Sequence, residues 1–158
     1  MSIADYGNLE NNPNKDEIRR CRILIVEDDF VSRAVVKRVF ISRGFSNISE
    51  AENGKIGLEK IRAEKPDLVI TDIKMPVMDG FELCRLIRAD SDKAIADVPI
   101  LVQTGMNQMG DKVPIYQAGA TDYLSKPIDP TELLARSIVY LEQAVLMRRV
   151  KSLLAKKF

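Results

Sequence analysis

Three acidic side chains close the first apolar run of the chain. The sequence ILIVEDD, residues 23–29, places Glu27, Asp28 and Asp29 directly after four aliphatic residues. Carboxylates this close repel one another, and the repulsion either raises their pKa values or is relieved by a bound cation. The end of this run is therefore a candidate cation site.

Three later apolar runs also end in a residue that can take part in chemistry. The runs DLVITD, VPILVQT and TDYLSK end in a carboxylate, a hydroxyl and an ammonium group, at Asp72, Thr104 and Lys126. Clustered carboxylate oxygens suit Mg²⁺, and a lysine neutralises a phosphoryl oxygen as a point charge. Because a carboxylate can attack phosphorus and become an acyl phosphate, the set indicates phosphoryl transfer to Asp72.

Five apolar runs alternate with helical patterns along the chain. The runs are continuous, which is typical of a parallel sheet that helices cover on both faces. We predict strands at 22–26, 47–51, 67–72, 98–104 and 121–126, and helices at 30–44, 54–66, 79–90, 113–119 and from Thr131 to the chain end. The fold class is therefore α/β, a doubly wound, flavodoxin-like three-layer sandwich with strand order 2-1-3-4-5.

Apolar residues recur with helical spacing in the first and last of these helices. The stripe of the first helix is Val31, Val35 and Val39. The stripe of the last helix is Leu134, Ile138, Leu141 and Val145, with the spacing of a helix face packed on a sheet.

Each chemically useful residue alone has a simpler structural explanation. Asp28 or Asp29 could cap the first helix, Asp72 could cap a turn, and Lys126 could end a strand in solvent. Taken together, however, these residues fall at the carboxyl ends of parallel strands, where such sheets bind ligands. Chance would scatter them over both edges, so we favour one shared site.

Composition and charge exclude several classes of protein. The chain has 158 residues, 46% of them apolar, and a net charge of +1, which gives no overall field for nucleic acid. It contains no histidine, so it cannot be a phosphohistidine donor. Its two cysteines lack metal-ligand spacing and fit a reducing cytoplasm. No signal peptide or membrane span is predicted.

Three segments are predicted along the chain. Residues 1–20 are polar and read as a flexible leader. Residues 21–146 form the main domain, and residues 147–158 form a basic helical extension with five basic residues and no acidic one. That extension is either a solvated tail, a helix that binds a partner or a second copy of the chain, or a helix that lies on a membrane surface.

Four stretches carry a resemblance to a known family. ILIVEDD, DLVITDIKMPVMDGFEL, PILVQTG and AGATDYLSKPID lie between residue 22 and about residue 145. With these stretches, the chain resembles the receiver domain of bacterial two-component response regulators, the CheY-like family. TDIKMPVMDG together with YLSKP is the most specific part.

The resemblance implies a role for each acidic residue. Asp72 resembles the phosphoacceptor aspartate, and Asp28 resembles the direct Mg²⁺ ligand, joined by the Asp72 carboxylate and the backbone carbonyl of Lys74. Glu27 resembles the acidic residue that holds a water of the metal. Asp29 falls outside this ligand set.

The resemblance also implies a phosphate contact and a conformational switch. Lys126 resembles the lysine that contacts the phosphoryl group, and its bond to Pro127 is expected to be cis. Thr104 resembles the switch hydroxyl and Tyr123 the switch aromatic. Lys74 and Met106 occupy variable positions that border the phosphate, and Gly105, Gly110 and Pro114 indicate a loop before a helix that starts near Val113.

The resemblance implies that the chain is a signalling module. It does not imply an enzyme that acts on a separate substrate. A histidine kinase or phosphotransfer protein would phosphorylate Asp72, and output would be protein binding through the 4-5-5 face, formed by the fourth helix, fifth strand and fifth helix of the family fold. A homodimer through this face or the C-terminal helix is a further alternative. A Mg²⁺-dependent phosphohydrolase is the rival function. A nucleotide or flavin binder would need a glycine-rich loop after the first strand, which is absent.

Overall fold

The computed structural model describes residues 8–105 and 112–157 and contains a five-stranded parallel sheet. The strands are β1 Arg22–Val26, β2 Asn47–Ala51, β3 Leu68–Asp72, β4 Ile100–Thr104 and β5 Asp122–Ser125. Their order is β2-β1-β3-β4-β5, so the predicted fold class and strand order are confirmed. Val26 pairs with Ala51 on one side and Thr71 on the other, and Asp72 pairs with Gln103.

Seven helices connect and cover these strands in the described part of the chain. They are α1 Lys15–Arg19, α2 Phe30–Ile41, α3 Gly54–Glu64, α4 Gly80–Arg88, α5 Lys93–Ala96, α6 Lys112–Ala118 and α7 Pro130–Lys157. The short helices α1 and α5 were not predicted, because five and four residues are too few to show a helical period.

Two apolar layers lie on opposite faces of the sheet. Ile23 and Ile25 of β1 point into the layer beneath α1, α2 and α7, while Leu24 and Val26 point into the layer beneath α3, α4 and α6. Successive residues of a strand point to opposite faces, so a continuous apolar strand fills both layers. This burial explains why the strands lack a polar-apolar alternation.

The apolar repeat of α2 is not its core face, and only Val39 of that repeat packs against the core. Val31 and Val35 are 66% and 53% exposed, whereas Val36 and Phe40 are buried. The sequence carries two apolar stripes side by side on this helix, and periodicity alone does not choose between them. The bulky Phe40 ring packs edge-on against Phe45, with ring centroids 5.3 Å apart, so the stripe that contains Phe40 faces the core.

Residues 8–20 pack on the domain, which differs from the flexible leader that their polar composition predicted. Leu9 and Ile18 are 3% and 0% exposed and belong to the same core layer as Val145 of α7. The Asn12 side-chain amide donates to Glu142 of α7 at 2.8 Å. Residues 8–20 are thus attached to the domain by two apolar side chains, Leu9 and Ile18. The average composition of this polar stretch did not reveal them.

Helix α7 changes character along its length. Leu134, Ile138, Leu141 and Val145 are buried, so the predicted core face of this helix is confirmed. Every residue from 146 to 157 is exposed. In the described residues, no helix is both long and apolar enough to cross a membrane. The extension predicted to begin at residue 147 thus lies on a helix that is continuous with the domain.

Candidate functional site

The carboxyl ends of four strands bring the predicted residues to one edge of the sheet. Glu27 and Asp28 follow β1, Asp72 is the last residue of β3, Thr104 is the last residue of β4, and Lys126 follows β5. The order of the strands places β1 and β4 on either side of β3. Asp72 is therefore central in the arrangement.

Glu27, Asp28 and Asp72 form an acidic cluster. One carboxylate oxygen from each of the three residues lies within 4.8 Å of the others. Glu27 is 1% exposed and Asp72 is 8% exposed, while Asp28 lies at the exposed side of the cluster. Three oxygens at this spacing, one of them open to solvent, match what a small hard cation that retains water ligands requires.

Lys126 reaches into the cluster from β5. Its Nζ lies 2.5 Å from Oδ2 of Asp72 and 3.4 Å from Oε2 of Glu27. The Lys126 backbone N–H donates to the Thr104 carbonyl at 2.8 Å, and the Lys126–Pro127 peptide bond is cis. The lysine ammonium group is thus fixed beside the central carboxylate.

Burial and neighbouring charge shift two pKa values in the site. Burial, followed by the hydrogen bond and the negative charge of Asp72, raises the pKa of Glu27 to about 7. Burial lowers the pKa of Lys126, but the hydrogen bond and charge of Asp72 and then Glu27 outweigh burial and raise this pKa above its ordinary value. A second positive charge near Glu27 would favour its ionised form.

Asp29 shapes the site without joining the cluster. Its Oδ2 accepts the Ser32 N–H at 3.2 Å and the Ser32 hydroxyl at 2.6 Å, which makes it the N-cap of α2. The Ser32 hydroxyl, followed by the Ser32 N–H, lowers the pKa of Asp29. Its own N–H donates to Oε1 of Glu27 at 3.2 Å. The cap therefore orients Glu27 through the backbone.

Arg33 and Gly80 also position the site, and the sequence reasoning missed both. The Arg33 guanidinium donates to the Glu27 carbonyl at 2.7 Å and bridges to Glu50 at 3.3 Å. Its position four residues after the capping Asp29, on the same side of a helix, was the signal that could have found it.

Gly80 allows α4 to begin directly against Asp72. Its N–H donates to the Ile73 carbonyl at 2.8 Å, and a Cβ at this residue would lie 2.3 Å from the Asp72 carbonyl oxygen. The Ile73 N–H in turn donates to Oδ1 of Asp72 at 2.7 Å. Only glycine permits this approach, so the glycine of the MDG sequence serves the backbone of the acidic site.

Thr104 is the last residue of β4 and Tyr123 lies within β5, and their described side-chain contacts are made outside the acidic cluster. The Thr104 hydroxyl donates to the Gly105 carbonyl at 3.3 Å. Tyr123 is half-buried, packs edge-on against Tyr116 with centroids 5.9 Å apart, and has the Lys112 ammonium 5.3 Å from its ring centroid. The switch roles predicted for Thr104 and Tyr123 therefore stay predictions.

The loops above the cluster are only partly described. Lys74 is exposed two residues after Asp72, and Val77 in the same loop has a φ of 70°. Met106 and the following residues to 111 lie outside the described residues, and α6 begins at Lys112, close to the predicted start near Val113.

Sequence comparison identifies the family. A family model of the response regulator receiver domain matches residues 23–137, most of the chain. This chain belongs to the response regulator receiver family. The predicted membership of the receiver family is thereby confirmed. The match covers every residue of the acidic cluster together with Lys126.

Relatives of the receiver domain include curated response regulators. "Response regulator MprA" of Mycolicibacterium vanbaalenii is 41% identical over 115 residues, which cover 73% of this chain and 48% of that protein. "Response regulator MprA" of Mycobacterium avium is 38% identical over 130 residues, which cover 82% of this chain and 52% of that protein. The chain spans about half the length of the curated relatives it matches.

Solved structures share the fold of this receiver domain. Chemotaxis response regulator CheY4 of Vibrio cholerae superposes with a TM-score of 0.68 at 30% identity, covering 77% of this chain and 98% of that one. The receiver domain of a signal transduction histidine kinase from Syntrophus aciditrophicus gives a TM-score of 0.71 at 28% identity, covering 78% and 91%.

Proposed function

We propose that Asp72 accepts a phosphoryl group from the phosphohistidine of a sensor kinase or phosphotransfer protein, and that the phosphorylated domain signals by binding another protein in the cytoplasm. The observation that carries the proposal is the contact of Lys126 with Asp72 inside the acidic cluster. A carboxylate held between a lysine and two further carboxylates suits phosphoryl transfer, which depends on positioning and charge neutralisation.

The donor set fits Mg²⁺. Glu27, Asp28 and Asp72 offer hard oxygen ligands within 4.8 Å of one another, and the Lys74 carbonyl is the proposed fourth protein group. Bound there, Mg²⁺ would neutralise the carboxylates and attract a phosphoryl oxygen of the donor. Glu27, whose burial raises its pKa to about 7, would then be held in its ionised form.

The chain's own residues supply the nucleophile and hold it in place. The Ile73 N–H binds Oδ1 of Asp72 and the Lys126 ammonium binds Oδ2. A carboxylate oxygen attacks phosphorus, an O–P bond forms, and the bond from phosphorus to the donor nitrogen or oxygen breaks, with its electron pair leaving on the donor. Lys126 remains next to the new phosphoryl group as its counter-charge. The protein thus catalyses only its own modification.

Output is proposed to pass through the 4-5-5 face, which in this structure is α6, β5 and α7. Asp122 of β5 supports this because its carboxylate connects all three elements. It accepts from the Tyr116 hydroxyl of α6 at 3.3 Å, and from Arg136 and the Tyr140 hydroxyl of α7 at 2.5 and 3.1 Å. Movement of Thr104 toward a phosphoryl group, followed by movement of Tyr123, would act on a face whose three elements are joined by the hydrogen bonds of Asp122.

The test is incubation of the full chain with Mg²⁺ and acetyl phosphate, followed by mass spectrometry. We expect one added phosphoryl group that is stable in acid and labile in base, and that is absent in Asp72→Asn. Asp97→Asn is the matched control, because Asp97 is an exposed carboxylate outside the cluster. Equal labelling of Asp72→Asn and the control would refute the assignment. Sustained turnover of p-nitrophenyl phosphate would favour the phosphohydrolase.

A further inference from the structure

The last three turns of α7 carry an apolar face that the domain does not cover. We call residues 146–157 the tail helix. Its five large apolar side chains are between 43% and 65% exposed: Leu146, Met147, Val150, Leu153 and Leu154. Exposed apolar side chains grouped on one surface are typical of a site that binds a protein or a membrane.

This apolar face points away from the sheet. At 3.6 residues per turn, the five side chains fall within an arc of about 120°, and the centre of that arc lies about 150° around the helix from the core stripe of α7. Arg148 and Arg149 lie on the core side, and both form ion pairs with the domain, Arg148 with Asp67 at 2.8 Å and Arg149 with Glu17. The apolar face of the tail helix therefore points to the side opposite these ion pairs.

The charge of the tail helix has one sign. Residues 146–157 contain five basic residues and no acidic one, which leaves 19 basic and 23 acidic residues in the rest of the chain. At the same spacing, Lys151 lies beside one edge of the apolar arc, Lys157 lies within the arc, and Lys156 lies on the core side. Among the described residues, no ion pair forms at these three lysines. The exposed face is thus apolar, with one lysine at its edge and another at its far end.

We infer that the tail helix binds an anionic lipid surface, with the apolar arc in the boundary between headgroups and acyl chains and Lys151 and Lys157 at the lipid phosphates. An exposed apolar face with lysines beside it and no acidic residue is typical of helices that lie in this interface. Lysine stems extend along the apolar region while their charges reach the headgroups. Each basic residue near such a surface adds attraction.

A second copy of the chain fits this face less well. Besides the arginines that pair with the domain, two tail helices would bring together six lysines and no acidic residue, so the two helices would repel. The tail helix is also only about 18 Å long, short for an interface that needs about 800 Å² from each partner. An anionic bilayer presents negative headgroups across its whole surface, so it can neutralise the lysines wherever they lie along the helix.

The experiment is co-sedimentation of the full chain with vesicles of phosphatidylcholine alone or with about 30% phosphatidylglycerol, where anionic lipid attracts basic segments. The proposal expects sedimentation only with the anionic vesicles, and release by salt. The variant K151E/K156E/K157E should lose at least about tenfold in vesicle affinity. V150S/L153S should also lose binding while keeping all charges.

The matched control is R38E/K55E/K93E, which makes the same change in net charge at three exposed residues of the domain body. It should keep anionic-vesicle affinity within about threefold. Equal loss in the two charge variants would overturn the proposal, as would no binding to anionic vesicles. A dimer in light scattering that V150S/L153S abolishes, without vesicle binding, would assign the face to a second copy. Acetyl phosphate labelling at Asp72 is expected to be unchanged in every variant.

Discussion

The ammonium group of Lys126 lies 2.5 Å from Oδ2 of Asp72, which joins residues 54 positions apart in the chain. The same nitrogen lies 3.4 Å from Oε2 of Glu27. One positive charge therefore partly balances a cluster of three carboxylates, and a net negative charge remains for a cation to neutralise.

Replacement of Lys126 should separate metal binding from phosphorylation. Lys126→Gln removes the counter-charge of the phosphoryl group, so we expect at least about tenfold slower labelling by acetyl phosphate. Mg²⁺ affinity should stay the same or rise, because the cluster loses a competing positive charge. Labelling kinetics and a Mg²⁺ titration followed by NMR measure the two effects. Loss of Mg²⁺ affinity in this variant would contradict the proposed role of Lys126.

The stabilising effect of Mg²⁺ should increase with pH. Glu27 has a pKa of about 7 in the folded protein against an ordinary value of 4.5. Between these values the folded state binds more protons than the unfolded state, so this group makes the metal-free protein less stable as pH rises. Mg²⁺ competes with the Glu27 proton, and about 10 mM Mg²⁺ should raise the melting temperature more at about pH 8 than at about pH 5.5.

Glu27→Gln is the control for this pH effect. The amide does not titrate, so the extra stabilisation by Mg²⁺ at the higher pH should shrink in this variant. An identical pH dependence in the wild-type chain and in Glu27→Gln would show that another group is responsible.

Gly80→Ala should destabilise the domain despite the better helix propensity of alanine. The new Cβ would lie 2.3 Å from the Asp72 carbonyl oxygen, so the start of α4 must move. Forced overpacking of this kind costs about 1–3 kcal/mol of unfolding free energy, measurable by urea denaturation. Gly105→Ala is the control, because its Cβ would meet no atom within 4 Å. A destabilisation no larger than that of the control would refute the close approach.

Ile18→Ala tests the attachment of residues 8–20. Ile18 is fully buried in the layer beneath α7, so its truncation should lower the free energy of unfolding by about 2–4 kcal/mol. Ile41→Ala removes the same atoms from a side chain that is 53% exposed and should cost much less. If both substitutions cost the same small amount, the segment does not contribute to the folded core.

The two cysteines should be inert in the folded protein. Burial raises the pKa of both the Cys21 and Cys84 thiols to about 11, and a thiol reacts as its thiolate. At about pH 8, a chromogenic disulfide reagent should modify neither thiol until denaturant is added, and then both. Rapid modification of one thiol in the native protein would identify a local opening at that cysteine.

The positions of the strands and the topology of the sheet could be predicted from the sequence. Apolar runs and their polar ends located the five strands, and the parallel topology then brought Glu27, Asp28, Asp72 and Lys126 together, because carboxyl ends of parallel strands share an edge. The core face of α2 could not be predicted, because it depends on side-chain packing. The stripe of Val31 and Val35 satisfies the same period as the buried one, and only the fit of Phe40 against Phe45 decides between them.

The positioning residues were harder to predict for a related reason. Arg33 acts by donating to a backbone carbonyl, and Gly80 acts by lacking a side chain. Neither residue type marks a site by its chemistry. Their roles became visible only once distances to Glu27 and Asp72 were known.

The ion pairs that Arg148 and Arg149 form with Asp67 and Glu17 fix the direction in which the last helix leaves the domain. Beyond them, residues 150–157 continue the helix for about 12 Å. A tilt of about 10° where the helix leaves the domain would displace its far end by about 2 Å, so the position of the tail helix depends on the angle that the core sets.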